Sequence, residues 1–200
     1  MMTHQTASIN KRQQQIIIGK LLGDGHLETA NGRTYRLKIE HSIKQKEYVD
    51  WLHQELYQLA SNEPKTKASA RGFMLYYKCW FNTSYSGNFR FYAQQFYEGR
   101  KKVIPVLIRR WLTPLSLAVW FMDDGSIKSK ECQAKLLNTQ SYNHANIVRL
   151  QAALKLNFGF VTTVRQQKDG MQIYVPANQV ARLRAVIGPY VIPSMRYKLD

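Results

Sequence analysis

Cysteine is nearly missing from this 200-residue chain, which carries only Cys79 and Cys132. Two thiols cannot build a disulfide framework or a Cys-rich zinc site, and a reducing, intracellular setting is the simpler reading. No apolar run is long enough to span a membrane, and no N-terminal signal pattern is visible. The histidines lack zinc-site spacing and form no His-Asn-His pattern, so His4, His26, His53 and His144 receive no catalytic role. Acids are the other shortage. Thirteen Asp and Glu stand against 29 Lys and Arg, a net charge of +16. An excess of that size calls for a polyanionic partner, nucleic acid first and an anionic membrane surface second. The basic residues are spread along the whole chain, which predicts a folded basic surface rather than a basic arm.

What is present is a repeated motif. Ile16-Ile-Ile-Gly-Lys-Leu-Leu-Gly-Asp-Gly25 and Leu117-Ala-Val-Trp-Phe-Met-Asp-Asp-Gly125 are both apolar helical patterns closed by Asp-Gly. Asp24 and Asp124 lie one hundred residues apart. Glycine just past a helix suggests a left-handed C-cap, which leaves one carboxylate at each helix end. An acid is disfavoured there by about 0.3–1 kcal/mol, because a helix C-terminus carries partial negative charge. The expectation is two helices packed side by side, with their acids sharing a divalent cation. The plainer alternative is two unrelated helix ends. Asp123 rivals Asp124, but matching Asp-Gly to Asp-Gly selects Asp124. Gly19 and Gly23 share a helix face and would admit a close neighbour. Val119 and Asp123 hold those registers in the second copy, so the interface should be asymmetric.

The remaining pattern repeats as well. Residues 1–9 are expected to fray. Asn10 caps the first helix, and Asn31-Gly32 signals a two-residue hairpin turn. Tyr35, Leu37 and Ile39 alternate with Arg36, Lys38 and Glu40, as in a half-buried strand with one basic face. A helix over 46–61 carries Val49, Leu52, Leu56 and Leu59 in a stripe. In the hairpin that follows, Leu75, Tyr77, Cys79 and Phe81 form the inward set. Phe89, Tyr92 and Phe96 fit a helix. Thr113-Pro114 starts the second copy's first helix. A strand over 135–140, a helix from about Ala145, a hairpin across Asp169-Gly170 and a helix over 177–187 complete it. The chain therefore reads as α+β, with helix–strand–strand–helix–strand–strand–helix twice, in halves at 10–110 and 111–200.

These residues resemble the LAGLIDADG homing endonucleases in their monomeric two-motif form. The likeness runs from about Ile16 to Leu199. Beyond the two motifs it includes Leu112-Thr-Pro-Leu-Ser, Leu137-Asn-Thr-Gln-Ser141 and Tyr190-Val-Ile-Pro-Ser-Met-Arg-Tyr-Lys-Leu199. The resemblance implies two pseudo-symmetric αββαββα repeats packed through their motif helices, with saddle-shaped antiparallel sheets astride DNA. It implies cleavage of a long, near-nonpalindromic double-stranded site by a monomer. It also implies Mg²⁺, with Mn²⁺ substituting and Ca²⁺ binding without cleavage. Asp24 and Asp124 would be catalytic metal ligands, and the backbone carbonyls of Gly23 and Asp123 would also bind metal. Lys102 and Lys198 fall 78 and 74 residues beyond the two acids, each in an Arg-x-Lys-aliphatic run. They would stabilise phosphate charge or order the attacking water. Gln140 would order water, with His41 as its counterpart and Glu40 beside it. An ion pair of Glu40 with Arg36 or Lys38 is the alternative.

DNA contacts are expected from Arg33, Arg36, Lys38, Lys65, Lys67, Arg71, Lys78, Lys128, Lys130, Lys135, Arg165 and Lys168. Phosphate contacts position a protein, and contacts to base edges specify the sequence. Two alternatives use the same scaffold: an RNA-splicing maturase that binds intron RNA, and a DNA-binding protein that has lost cleavage. An organelle or a bacterial or phage-infected cytoplasm would be the setting. No intein splicing blocks are visible.

Overall fold

The first helix is capped reciprocally. Asn10 Oδ1 accepts the Gln13 amide at 2.9 Å, and Gln13 Oε1 accepts the Asn10 amide at 3.1 Å, so two orphan donors are satisfied at once. In the computed structural model, which describes residues 8–71, 74–129 and 132–200, helix α1 spans Lys11–Leu22. It is followed by β1 (His26–Glu28), β2 (Arg36–Ser42), α2 (Lys46–Glu55), β3 (Lys65–Arg71), β4 (Met74–Asn82) and α3 (Arg90–Phe96). A small ribbon, β5 (Tyr97–Glu98) and β6 (Lys101–Lys102), and a short helix α4 (Ile108–Trp111) come next. The order then recurs in α5 (Pro114–Asp124), β7 (Gly125–Ser129), β8 (Cys132–Leu137), α6 (His144–Phe158), β9 (Thr163–Gln167), β10 (Gly170–Val175) and α7 (Ala177–Ile187).

The fold is α+β and the αββαββα order occurs twice. Both sheets are antiparallel with equivalent strand orders, β1-β2-β4-β3 and β7-β8-β10-β9. Thr113 caps α5 through a box with Ser116, with Pro114 in the first turn. Asn143 caps α6, and Gly159 ends it in a left-handed conformation at φ 71°. That glycine is needed because a Cβ is strained there.

Two compact units result. Among the described residues, one contains residues 8–14 together with Asp24–Ala93, the other Gln15–Gly23 with Gln94–Asp200. In the first, Leu37 and Ile39 of β2, Cys79 and Phe81 of β4, and Tyr48, Val49 and Leu52 of α2 are buried. In the second, the apolar face of α1 lies against α5, which is buried from Leu115 to Asp123. A Cβ on Gly19 would lie 2.6 Å from the Ser116 carbonyl oxygen and 2.6 Å from Val119 Cβ. One on Gly23 would lie 2.6 Å from Asp123 Cβ. The expected asymmetry is thus a complementary fit, each larger residue of α5 filling the room that a glycine of α1 leaves.

Several local expectations are corrected. Gly25 and Gly125 are not left-handed caps; Gly125 has φ −71°, and positive-φ glycines occur elsewhere. Gly125 is required by space, since a Cβ would meet the Phe121 ring at 2.6 Å. Asn31-Gly32 lies in a wider loop over residues 29–35, where Asn31 Oδ1 accepts the amides of Arg33 and Thr34 at 2.9 Å. The helix expected over 46–61 stops at Glu55, and a single 3-10 turn over Tyr57–Leu59 follows. Of the inward set on β4, Cys79 and Phe81 are buried, but Leu75 is 62% and Tyr77 48% exposed. The β3–β4 hairpin runs past the helix that covers its base, so alternation there no longer reports a core. The expected frayed segment falls on residues 1–7, outside the described residues except for Ser8 and Ile9.

Gly19→Ala should destabilise the protein by about 1–3 kcal/mol through overpacking. Urea unfolding measures it, and a loss under about 0.5 kcal/mol would show that α1 and α5 do not touch as described.

Candidate active site

Gly23-Asp24 follows α1 and Asp123-Asp124 ends α5, so each motif carries a carboxylate where helix carbonyls run out of intrahelical donors. Three side chains supply donors in the second unit. Lys102 Nζ donates to the Gly23 carbonyl at 2.6 Å. Lys198 Nζ donates to the Asp123 carbonyl at 2.8 Å and also to that of Met122. The Tyr142 hydroxyl donates to the Leu22 carbonyl at 3.0 Å. Burial pushes the Tyr142 hydroxyl well above its usual pKa, and the negative charge of Asp124 adds to the effect. The two lysines sit at matching places, each on the carbonyl that precedes its motif's final acid. Cationic donors at a helix C-terminus are favourable in their own right.

Asp123 is removed from the acid count. Lys20 Nζ lies 2.7 Å from both of its carboxylate oxygens, with both side chains fully buried. The Asp123 side chain is therefore paired with α1, and its carbonyl accepts from Lys198. Asp124 is half-buried at the last position of α5. Asp24 follows α1, with its side chain 51% exposed.

In the first unit Asp24 opens onto a cavity of about 350 Å³ that Glu40, His41, His26, Lys38 and Lys78 also line. His41 Nδ1 is 3.7 Å from Asp24 Oδ2 and 3.1 Å from Gln45 Oε1. His41 shares the buried face of β2 with Leu37 and Ile39, whereas Glu40 is on the opposite face. Glu40 does not pair with Arg36 or Lys38. It binds Lys78 at 2.6 Å and also Lys67. Burial alone would raise the Glu40 carboxyl, but these two lysines hold it below its ordinary pKa. Arg36 and Lys38 pair with Glu28 instead, at 2.7 and 3.2 Å. There too burial opposes ionisation, and the two cations outweigh it, bringing Glu28 down to about 2.

Gln140 is half-buried in the turn after β8. Its backbone presses on Gly170, where an added Cβ would lie 2.9 Å from Gln140 Cα. His41 is not its counterpart by strand register. His26 pairs with Lys38 and Ser126 with Leu136. Counting on from these pairs sets His41 against Thr139 and Ser42 against Gln140.

Arg33, Lys65, Lys67, Lys128, Arg165 and Lys168 are exposed, and Arg36, Lys38 and Lys78 are half-buried. Lys135 is a correction. It is fully buried on β8 and donates to the Asp200 carbonyl. Burial lowers its pKa, and the Arg184 charge lowers it further. Lys130, the Arg71 side chain and His4 lie outside the described residues. His53 is buried edge-on against Phe81, His26 lies 3.3 Å from Glu28, and His144 is exposed at the start of α6.

Lys20, Tyr142 and Glu28 escaped the sequence reading. Lys20 had a usable signal. It is the sole charge in residues 13–23, and the second motif has one acid more than the first. An unmatched cation and an unmatched anion on packed helices suggest a pair.

Residues 14–183 match the model of the LAGLIDADG DNA endonuclease family. The chain belongs to that family. It is 29% identical over 217 aligned positions to DNA endonuclease I-ChuI of Chlamydomonas applanata, covering 96% of each chain. It is 30% identical to the cytochrome b mRNA maturase bI2 of Saccharomyces cerevisiae, covering 99% of this chain but about half (49%) of that protein. Its fold matches the homing endonuclease I-WcaI bound to its DNA recognition sequence, with a TM-score of 0.91 at 23% identity over 97% of this chain and 88% of the other. Among the described residues no helix is long and apolar enough to cross a membrane.

Lys20→Met should cost about 3–5 kcal/mol, because it strands a buried carboxylate, while Lys20→Met/Asp123→Leu should recover most of that loss. Denaturant unfolding of both proteins tests this; equal losses would mean the charges are not paired. Glu28 gives a pH prediction. Its folded pKa lies below the ordinary 4.5, so its stabilisation is complete above about pH 4.5 and lost as pH falls toward 2. Glu28→Gln should flatten the stability profile within that window, and the Glu28 carboxyl resonance should titrate near its lower edge.

Proposed function

We propose that this chain is a monomeric, site-specific double-strand DNA endonuclease, with halves 10–110 and 111–200 each reading one side of a long, near-nonpalindromic site. The observation that carries this reading is the repeated lysine-on-carbonyl arrangement beside the motif acids, Lys102 on Gly23 and Lys198 on Asp123. The donor set suits a hard cation: the Asp24 and Asp124 carboxylates with the Gly23 and Asp123 carbonyls, all oxygen, with no thiol among them. Bound Mg²⁺ would lower the pKa of a water and neutralise the scissile phosphate and its leaving 3′-oxygen. Mn²⁺ has the same ligand preference; Ca²⁺ is larger and would bind without supporting cleavage.

The chain's own residues have distinct tasks. Asp24 and Asp124 hold the cation, one from each motif. Lys102 and Lys198 place positive charge where phosphate charge builds up, and Gln140 orders water. Asp123 is kept from competing by Lys20. The exposed cations of the sheets supply phosphate and base contacts, with a strong salt dependence from released counterions. The similarity to a cytochrome b mRNA maturase favours a second reading, in which the same surface binds intron RNA.

Duplex DNA spanning the insertion site of the coding element is the test substrate. Cleavage should appear with Mg²⁺ and not with Ca²⁺. Asp24→Asn and Asp124→Asn should each lower the rate at least about 100-fold, the scale set by losing one electrostatic catalytic group, while DNA binding in a gel-shift assay persists. Tight intron RNA binding with no cleavage of any duplex would favour the maturase.

A further inference from the structure

Two acids stand on the basic face of the first sheet, where the proposed DNA backbone would repel them. Glu28 on β1 holds Arg36 and Lys38, and Glu40 on β2 holds Lys67 and Lys78. The pairing register puts these residues on one face: Glu28 opposes Arg36, Glu40 opposes Trp80, Lys65 also opposes Trp80, and Lys67 opposes Lys78. Rings flank three of these cations. Arg36 lies 4.9 Å from the Tyr85 ring centre, Lys67 5.8 Å from Trp80, and Lys78 5.7 Å from Tyr76. The second sheet is built otherwise. The sequences of β7, β8, β9 and β10 contain no Asp or Glu, and Lys128 there has a ring neighbour, Tyr174 at 5.8 Å.

Two ordinary explanations fall short. Surface ion pairs are weakened by solvent and stabilise a fold wherever they lie, so stability does not account for acids on a surface meant for DNA. A metal role for Glu40 fits poorly, since its two oxygens face two lysines. What each acid does accomplish is to lock two flexible cations in one orientation and withhold them from any phosphate that offers no better geometry. Only a duplex whose base edges match those fixed donors would compensate for displacing the carboxylate.

We infer that Glu28 and Glu40 are specificity-determining residues, which hold the cations of the first sheet in a fixed array and suppress binding to non-cognate DNA. The inference rests on the DNA-binding reading above. It makes recognition asymmetric: the half-site under the first sheet is discriminated sharply and the other loosely.

The test compares wild type with Glu28→Gln and Glu40→Gln, each the same shape without the charge, and with Glu55→Gln, which removes an acid paired with Arg12 away from this face. The probes are a random-sequence duplex and a duplex selected by the wild type from a randomised library. Glu28→Gln and Glu40→Gln should bind the random duplex about tenfold more tightly, with the slope of log affinity against log salt steeper by about one to two as freed cations reach phosphates. The ratio of selected to random affinity should fall, and Glu55→Gln should leave both nearly unchanged. Circular dichroism establishes that each variant is folded, and if Glu40→Gln is not, Glu28→Gln carries the test alone. An unchanged ratio and slope in the folded variants, or an equal change in Glu55→Gln, overturns the inference. A wild type that selects no sequence from the library instead overturns the DNA-binding reading.

Discussion

The close approach of α1 and α5 sets the terms for the rest of the second unit. Helix backbones can come together only where side chains withdraw, and α1 withdraws at Gly19 and Gly23 while α5 advances with Val119 and Asp123. An acid at such a contact faces a heavy desolvation penalty unless it is paired. Lys20, one residue from Gly19, meets that need within the same interface. The pair contributes little net stability against an apolar substitute of equal volume, but an uncompensated partner would be severely destabilising. It therefore fixes the register of the two helices, and with it where both motifs end.

That constraint changes how the helix ends should be understood. Their negative poles make an acid unwelcome, and a shared cation looks like the remedy. The structure contains a remedy of its own, since Lys102, Lys198 and Tyr142 donate to the terminal carbonyls of both helices. Repulsion at the helix ends is consequently a weak argument for metal. The stronger one is donor chemistry: carboxylate and carbonyl oxygens beside lysines, in a family of DNA endonucleases.

Much of this was legible in the sequence, for identifiable reasons. The caps at Asn10 and Thr113 and the apolar periods marked the helices, because capping and periodicity are local effects. The duplication was visible because both motifs keep their Asp-Gly ending. What failed depended on distant partners. Lys135 looks like an outward strand cation, yet it is buried, with the distant Asp200 carbonyl as its acceptor. Leu75 and Tyr77 alternate as a core face would, but nothing covers the outer hairpin among the described residues. The glycines of the Asp-Gly pairs suggested backbone conformation, whereas Gly125 is required by the Phe121 ring packed against it. The strand pattern offers Arg36 and Lys38 as partners for Glu40, but its partners belong to β3 and β4, whose register no local pattern specifies.

The α1–α5 contact also bears on why both motifs occupy one polypeptide. Suppose two copies of the α1 surface faced one another. Gly19 and Gly23 would leave unfilled space on both sides, and two Lys20 ammonium groups would be buried without an acid. Two copies of the α5 surface would be worse, with Val119 meeting Val119 and Asp123 meeting Asp123 in a site without room or countercharge. Each arrangement combines a packing defect with a buried unpaired charge, and these rank among the costliest single defects in a folded protein. The two motif helices have become complementary rather than equivalent. A repeat that began as a self-matching surface could not keep these residues; one chain carrying both halves is the arrangement in which Gly19, Lys20, Gly23, Val119 and Asp123 are all satisfied together.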